Sequence, residues 1–587
     1  MTPHATKSNI HLLPLQRRTL ARWIHIAGLL GLFAFAAVWV RPAIADPLDM
    51  QSCNKDDDQS FAACTKIIDD QTASAHDRSR ALVGRGDAWD DVKHDHDRAI
   101  ADYTEAISLD PTYAAAYYNR AVTFHSKGDN DRAMTDLNDA IRLKPKVADY
   151  YGERGNIWHY KGDEDRAIAD YDEAIRINPK DSDDYDNRGK AWHRKGDEDR
   201  AIADYTEAIQ LNPKYAVAYI DRGNALDNKG DYDGAIADYS AAIGIDPKSG
   251  IAYNGRGGAW RGKGDLDHAI ADYNTAVSLE PNYPGVYLNR GLVWVIKEDW
   301  DRAIADFDQA LALGSKNPEV LTYRGIAWRN KGDYNRAIAD LDAVIALDPN
   351  DANVLFNRGL AWHKKGDDER AIADYDKAIG LEPNNALGHF QRGIARYGKG
   401  ELDDAIADFN DTIRLDPKNA VAFMNRGNAW DDKGDHDRAI ADYDRAISVD
   451  PNNADAYFNR GEAWHHKGND DRALADFGVA IRLDPNYSDA YAERGVVRYA
   501  KHDLDNALAD LNNAIRIDPK NAAAVMDRGN VWDDKGDHDR AIADYSEAIS
   551  LDPSNAKAYY NRGVARRAKG DSKGADDDFS KAKSLGG

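Results

Sequence analysis

A chain of 587 residues with a formal charge of −24 is too long for one hydrophobic core and too acidic to favour a nucleic-acid backbone. Nucleic acid is therefore excluded as the expected partner, and basic or neutral polypeptides are favoured. Only 19 prolines and a charged content of 30 % exclude collagen-like and low-complexity chains.

Residues 1–45 differ from everything after them. Lys7, Arg17, Arg18 and Arg22 precede the apolar run Ala27–Val40, and Ala43–Ala45 offers small residues at a cleavage spacing. That is the layout of a secretory signal, and the run is short for a spanning helix. An uncleaved anchor extending from Trp23 is the alternative. The pair Arg17-Arg18 resembles a twin-arginine signal without its full consensus. The expected location is the periplasm or the cell exterior, or the inner membrane if the anchor is retained. Membrane contact is expected through this segment alone. Cys53 and Cys64, the only cysteines, follow directly. Two cysteines in an exported chain suit one disulfide, whereas two ligands make a poor zinc site, so no metal is expected there.

From residue 79 onward the chain repeats. Pro111, Pro145, Pro179, Pro213, Pro247 and Pro281 stand 34 residues apart; Ser315 breaks the ladder, and Pro349 to Pro553 resume it. Arginines keep the same interval from Arg120 to Arg562. With Ala114 as slot 1 of 34, slot 8 is usually Gly, slot 11 Trp, slot 20 Ala, slot 24 Tyr or Phe, slot 27 Ala and slot 32 Pro. One set is Gly427, Trp430, Ala439, Tyr443, Ala446 and Pro451. Slots 4, 8 and 11 share one helical face, as do slots 20, 21, 24, 27 and 28, so each repeat predicts two helices packed through small residues.

This pattern resembles the tetratricopeptide repeat over residues 79–587, about fifteen copies. The resemblance implies an all-α, right-handed superhelical α-solenoid of helical hairpins. The implied organisation is a half-repeat cap over 46–78, fourteen repeats over 79–555 and a polar capping repeat over 556–587. Asp576 and Lys583 stand in slots that are otherwise aliphatic, as a water-facing end requires. One departure is Arg at slot 7, where the family usually has Leu. It recurs with Asp at slot 23, as in Arg426 and Asp442, and the two are expected to pair across the hairpin.

The stretch "DDKGDHD" (Asp431–Asp437) has the composition of a metal or acid–base site, yet it falls where the first helix must stop. Gly at slot 15 suits a left-handed helix end, and Asp at slot 16 or 18 suits the cap of the next helix. It is expected to be a capped turn. Gly257–Gly264 nearly matches a phosphate-binding loop but has Gly264 in the magnesium-ligand position and no strand before it, so that reading is rejected. His125, His159 and His193 recur at slot 12 and are expected to be solvated; His465-His466 points around one helix. No nucleophile elbow or distinctive carboxylate pair appears. The chain is expected to be no enzyme and to need no cofactor.

In the resembled family the first helices line a concave face, and slots 2, 5, 6, 9, 12 and 13 meet ligand. Asn occupies slot 6 at Asn119, Asn187, Asn289, Asn357, Asn425, Asn459 and Asn561, where side-chain amides suit the backbone of an extended peptide. The alternative is that Asn helps the helix start. Slot 9 is aliphatic at Leu292, Ile326, Leu360 and Ile394, joined by Val295 and Ile296 at slots 12 and 13. These residues predict an apolar binding strip, or side chains half-buried between helices. The expected function is a protein-interaction scaffold that binds polypeptide segments on the concave face, outside the cytoplasm of a Gram-negative-type bacterium. The alternatives are a regulatory or targeting subunit of an envelope enzyme or polysaccharide-secretion complex, and a mechanical spacer.

Overall fold

The computed structural model describes Cys53 and residues 58–586; the expected signal segment lies outside them. Among the described residues thirty-one α-helices and one π-helical turn follow one another, with no strand. The chain divides into two units, one ending at Tyr323 and the other beginning at Arg324. Within each unit the helices pair into hairpins that stack in chain order, the all-α solenoid expected from the 34-residue period. We call the two helices of a repeat A and B; in one repeat they span Ala420–Asp432 and His436–Val449. Among the described residues no helix is long and apolar enough to cross a membrane.

Small residues set the distance between A and B. A Cβ on Gly427 would lie 2.7 Å from the Tyr443 ring, so slot 8 takes glycine because the slot 24 ring occupies that space. Ala439 and Ala446 are fully buried on the same contact, and the slot 11 ring of Trp430 lies partly buried beside them. Arg438 lies 4.5 Å and Lys433 5.7 Å from the Trp430 ring centre, so the indole is held by two cations as well as by packing.

The turn between A and B follows the expected chemistry. All twelve slot 15 glycines have φ between +73° and +90°, and the residues that replace them, His94, Glu298 and His502, keep the same left-handed backbone at +52°, +57° and +59°. The helix end thus dictates the backbone even where the residue resists it. The B-helix cap is slot 16, not slot 18: Asp435 accepts from the Arg438 amide at 3.1 Å. Slot 18 has another duty, since Asp437 accepts from Lys467 at slot 14 of the next repeat and Lys433 donates to Asp403 of the preceding one.

The slot 7 arginine pairs with the slot 23 aspartate in every repeat. Arg426 donates from Nε and Nη2 to the two Asp442 oxygens at 2.8 and 2.6 Å, and Asp442 is only 5 % exposed. In most repeats the third guanidinium nitrogen reaches slot 25 of the preceding repeat, as in Arg426 Nη1 to Asn410 at 2.5 Å; Arg494 meets Gly478 there and makes no such bond. Arg120 to Thr104, Arg256 to Ser240 and Arg460 to Asp444 show the same bond with different acceptors. Arginine in place of leucine therefore ties two hairpins together as well as closing its own.

The first repeat departs from the period. Its pair is Arg85–Asp102, 17 residues apart instead of 16, and a π-helical turn over Ala88–Val92 absorbs the extra residue. Before it, Cys53 and Cys64 form a disulfide with Cα atoms 4.9 Å apart, packed on Ala81, Leu82 and Val83. Helix Asp58–Asp69 stands where a B helix would, because Arg85 Nη1 reaches Thr65 as later arginines reach slot 25. At the other end Asp576 and Lys583 face solvent.

Candidate functional site

The A-helix face changes from repeat to repeat, and its side chains meet across the junctions between neighbouring repeats. The slot 6 asparagines illustrate the geometry. Asn459 donates to Asn428, Asn561 to Asn530 and Asn119 to Asp87, in each case to slot 9 of the preceding repeat at 2.7–3.0 Å. Asn289 donates to Asn254 at slot 5, and Asn425 returns to Val421 O of its own helix. Asn357 accepts from Arg329 at 2.8 Å and donates to Asn353, and Asn187 is half-buried. Most of these amides thus already serve the stack through one donor.

Slot 9 also faces its own B helix. The hydroxyls of Tyr171, Tyr239, Tyr443 and Tyr545 donate to Asn156, Asn224, Asn428 and Asn530, all at slot 9. Where slot 9 is aliphatic, at Leu292, Ile326 and Ile394, slot 24 is Phe307, Leu341 or Phe409, which carry no hydroxyl. The aliphatic residues are accordingly drawn inward: Ile326 is 8 % exposed, and Leu292, Leu360 and Ile394 are half-buried. Val295 is buried and Ile296 exposed. Leu292 belongs to the first unit and the other three slot 9 residues to the second.

Two repeats break this match and leave a hydroxyl unsatisfied, and a third sets a carboxylate opposite a ring. Gly258 and Leu360 face the hydroxyls of Tyr273 and Tyr375, which are buried without a hydrogen-bond partner. Glu462 stands opposite Phe477, which cannot donate to it, and near Glu493 at slot 6 of the next repeat. Burial first, then the charges of Glu493, Asp431 and Asp489, push the Glu462 carboxyl up to about 8. Glu493 is raised for the same leading reason. The first unit has a counterpart: burial, with Asp181, Asp149 and Asp183 nearby, pushes Asp184 up to about 8. Its neighbour Asp186 is neutralised by Lys190 at 2.5 Å, which also reaches Asp221 of the next repeat at 3.4 Å. The A-helix face therefore carries carboxylates held at the margin of ionisation, a surface that gains by meeting cations.

The slot 12 histidines are not left to solvent. His159 and His193 hold Glu164 and Glu198 at slot 17 through Nδ1, at 2.6 and 2.7 Å, while His125 holds Glu153 of the next repeat at 2.6 Å. Their positions at the end of helix A, against the start of helix B, explain the difference from expectation. The same slots pair in reverse order in "DDKGDHD", where His436 Nδ1 lies 2.6 Å from Asp431, and again at His538–Asp533. Recurrence of an acid and a histidine five residues apart was the sequence signal for these pairs.

Models of the tetratricopeptide repeat match residues 114–147, 148–181 and 182–215, and six spans within 220–386 and 390–488; a TPR repeat model matches 94–128 and 533–570. Among solved structures, the chain is similar to MamA at 30 % identity, covering 27 % of this chain and 94 % of MamA with a TM-score of 0.27. It is similar to a tetratricopeptide repeat protein from Parabacteroides merdae at 19 % identity, covering 42 % and 98 % of the two chains, with a TM-score of 0.36. Yeast Tom70 is similar at 19 % identity, covering 73 % and 97 %, with a TM-score of 0.34. No curated protein sequence matches significantly. The matched spans, the hairpin repeated fifteen times and its glycine–ring contact agree: this chain belongs to the tetratricopeptide repeat family.

Proposed function

We propose that this protein is an interaction scaffold that holds extended polypeptide segments along its A-helix face, outside the cytoplasm and without chemistry of its own. The observation that carries the reading is the division of labour within each repeat. The turns and the A–B contact repeat one structural plan, while the A-helix face carries side chains that change from copy to copy and gathers the buried-carboxylate clusters around Asp184 and Glu462. Basic segments fit that face best, because an incoming Lys or Arg relieves repulsion already present there. The apolar side chains Leu360 and Ile394, half-buried in the second unit, offer accompanying non-polar contact. The Cys53–Cys64 disulfide supports an oxidising location.

The test is fluorescence anisotropy with labelled peptides that differ in charge. Saturable binding of basic peptides, weakened by Glu493→Lys and by Leu360→Asp but unchanged by Asp435→Asn in a turn, is expected. Binding indifferent to all three substitutions, or turnover of a substrate by the purified chain, overturns the reading.

A further inference from the structure

Within the second unit, one junction brings together side chains that the period of the sequence keeps apart. Asp431 and His436 pair across their own A–B turn, and His466, at slot 13 of the next repeat, reaches the same carboxylate. His466 Nδ1 lies 3.4 Å from Asp431 Oδ2, and His436 Nδ1 lies 2.6 Å from Asp431 Oδ1. The two imidazoles face each other with ring centres 5.2 Å apart, and one donor atom from each of the three residues falls within 4.8 Å of the others.

The other repeats show that this three-way meeting is built into the stack and that its occupants are selected. In the first unit slot 13 of the next repeat also reaches the slot 12–slot 17 pair: Arg194 donates to Glu164 at 2.7 Å, and Asn228 to Glu198 at 3.1 Å. There a donor side chain fills the third place. At the second "DDKGDHD" the pair Asp533–His538 is intact, but the third place is Ala568. Among the described residues only the junction at Asp431 sets two imidazoles and one carboxylate around a shared point, which is the composition of a metal-ligand set.

We infer that Asp431, His436 and His466 form a binding site for one divalent transition-metal ion of the zinc type, bridging two consecutive repeats. Imidazole nitrogen with carboxylate oxygen is the donor set of zinc and its borderline neighbours, at about 2.0–2.2 Å per ligand. Small side-chain rotations close the present separations to that range, and the partial exposure of His466 leaves a path for the ion and a fourth position for water. Bound metal would pin helix Ala454–His466 to the preceding hairpin and stiffen that junction relative to the rest of the unit.

The test is isothermal titration of the full chain, prepared without a histidine tag, with zinc chloride, alongside hydrogen–deuterium exchange. One saturable site is expected, weakened at least tenfold by His466→Ala and by Asp431→Asn and unchanged by His538→Ala, which removes the equivalent histidine at the junction lacking a third ligand. Zinc should slow exchange over residues 430–466 in the native chain and not in His466→Ala. His466 is nearly half exposed, so its loss spares the fold, and circular dichroism checks this. Absence of a saturable site, or a His466→Ala titration like that of the native chain, overturns the proposal.

Discussion

Replacing Arg426 by leucine, the residue that the family usually carries at this slot, should damage this protein although it restores the common residue. The guanidinium supplies both bonds to Asp442 and the bond to Asn410 of the preceding repeat. Without it, a carboxylate 5 % exposed is left in the A–B contact with no counter-charge. Breaking a buried ion pair from one side costs about 3–5 kcal/mol, and the partial exposure of Arg426, which lets water reach the site, places this case near about 3. Removing both charges, Arg426→Leu with Asp442→Leu, eliminates the stranded carboxylate and should return stability to within about 1 kcal/mol of the native value. Global melting is the wrong measurement, since a long repeat array unfolds in segments. Hydrogen–deuterium exchange in the full chain reports the affected hairpin directly: amides of His436–Val449 should exchange about 100-fold faster in the single variant, because 1.4 kcal/mol is tenfold. Exchange unchanged in Arg426→Leu, or equally fast in the single and double variants, would refute the reasoning.

Tyr375→Phe should stabilise its hairpin by about 1 kcal/mol, since it removes a buried hydroxyl without a partner; the same change at Tyr443, whose hydroxyl is bonded to Asn428, should destabilise it, and local exchange rates distinguish the two. Glu298→Gly should stabilise by about 1 kcal/mol by relieving a left-handed backbone at φ +57°, measured by exchange in helix Trp300–Ala312. Stability around Asp184 and Glu462 should fall as pH rises toward 8 and level off above it. Both carboxyls titrate near 8 when folded and near 4 when unfolded, so in that window the folded chain holds protons that the unfolded chain has released. Asp184→Asn and Glu462→Gln should each flatten the pH profile of exchange in their own repeat. Gly427→Ala should cost about 1–3 kcal/mol because its methyl group meets the Tyr443 ring.

The repeat core was legible because the same residue types return at the same slots. Gly427 and Tyr443 each gain meaning from their counterparts, and the Arg426–Asp442 pair could be expected because both members recur. The third bond of that arginine was not legible: its acceptor is Thr104, Ser240, Asn410 or Asp444, four residue types united only by position in the preceding repeat. The same blindness covers the A-helix face. Asn459 suits a peptide backbone by residue type, yet it donates to Asn428, and a period read within one repeat does not show which slots of two repeats touch. The link between slot 9 and slot 24 was present in the sequence, since Tyr accompanies Asn156, Asn224, Asn428 and Asn530 while Phe or Leu accompanies Leu292, Ile326 and Ile394. The extra residue before Asp102 was also visible as a shifted arginine, but only the π-helical turn shows where it is stored.

The arginine contact with the preceding hairpin has an evolutionary corollary. Seams such as Arg120–Thr104, Arg256–Ser240, Arg426–Asn410 and Arg460–Asp444 use a grammar of one fixed donor and any small polar acceptor, so a duplicated 34-residue cassette arrives already able to dock on the one before it. Lengthening or trimming such an array then demands no new invention at the joints. The exception is the pair of cassettes sharing Asp431, His436 and His466, which lose their common property if separated and so travel together.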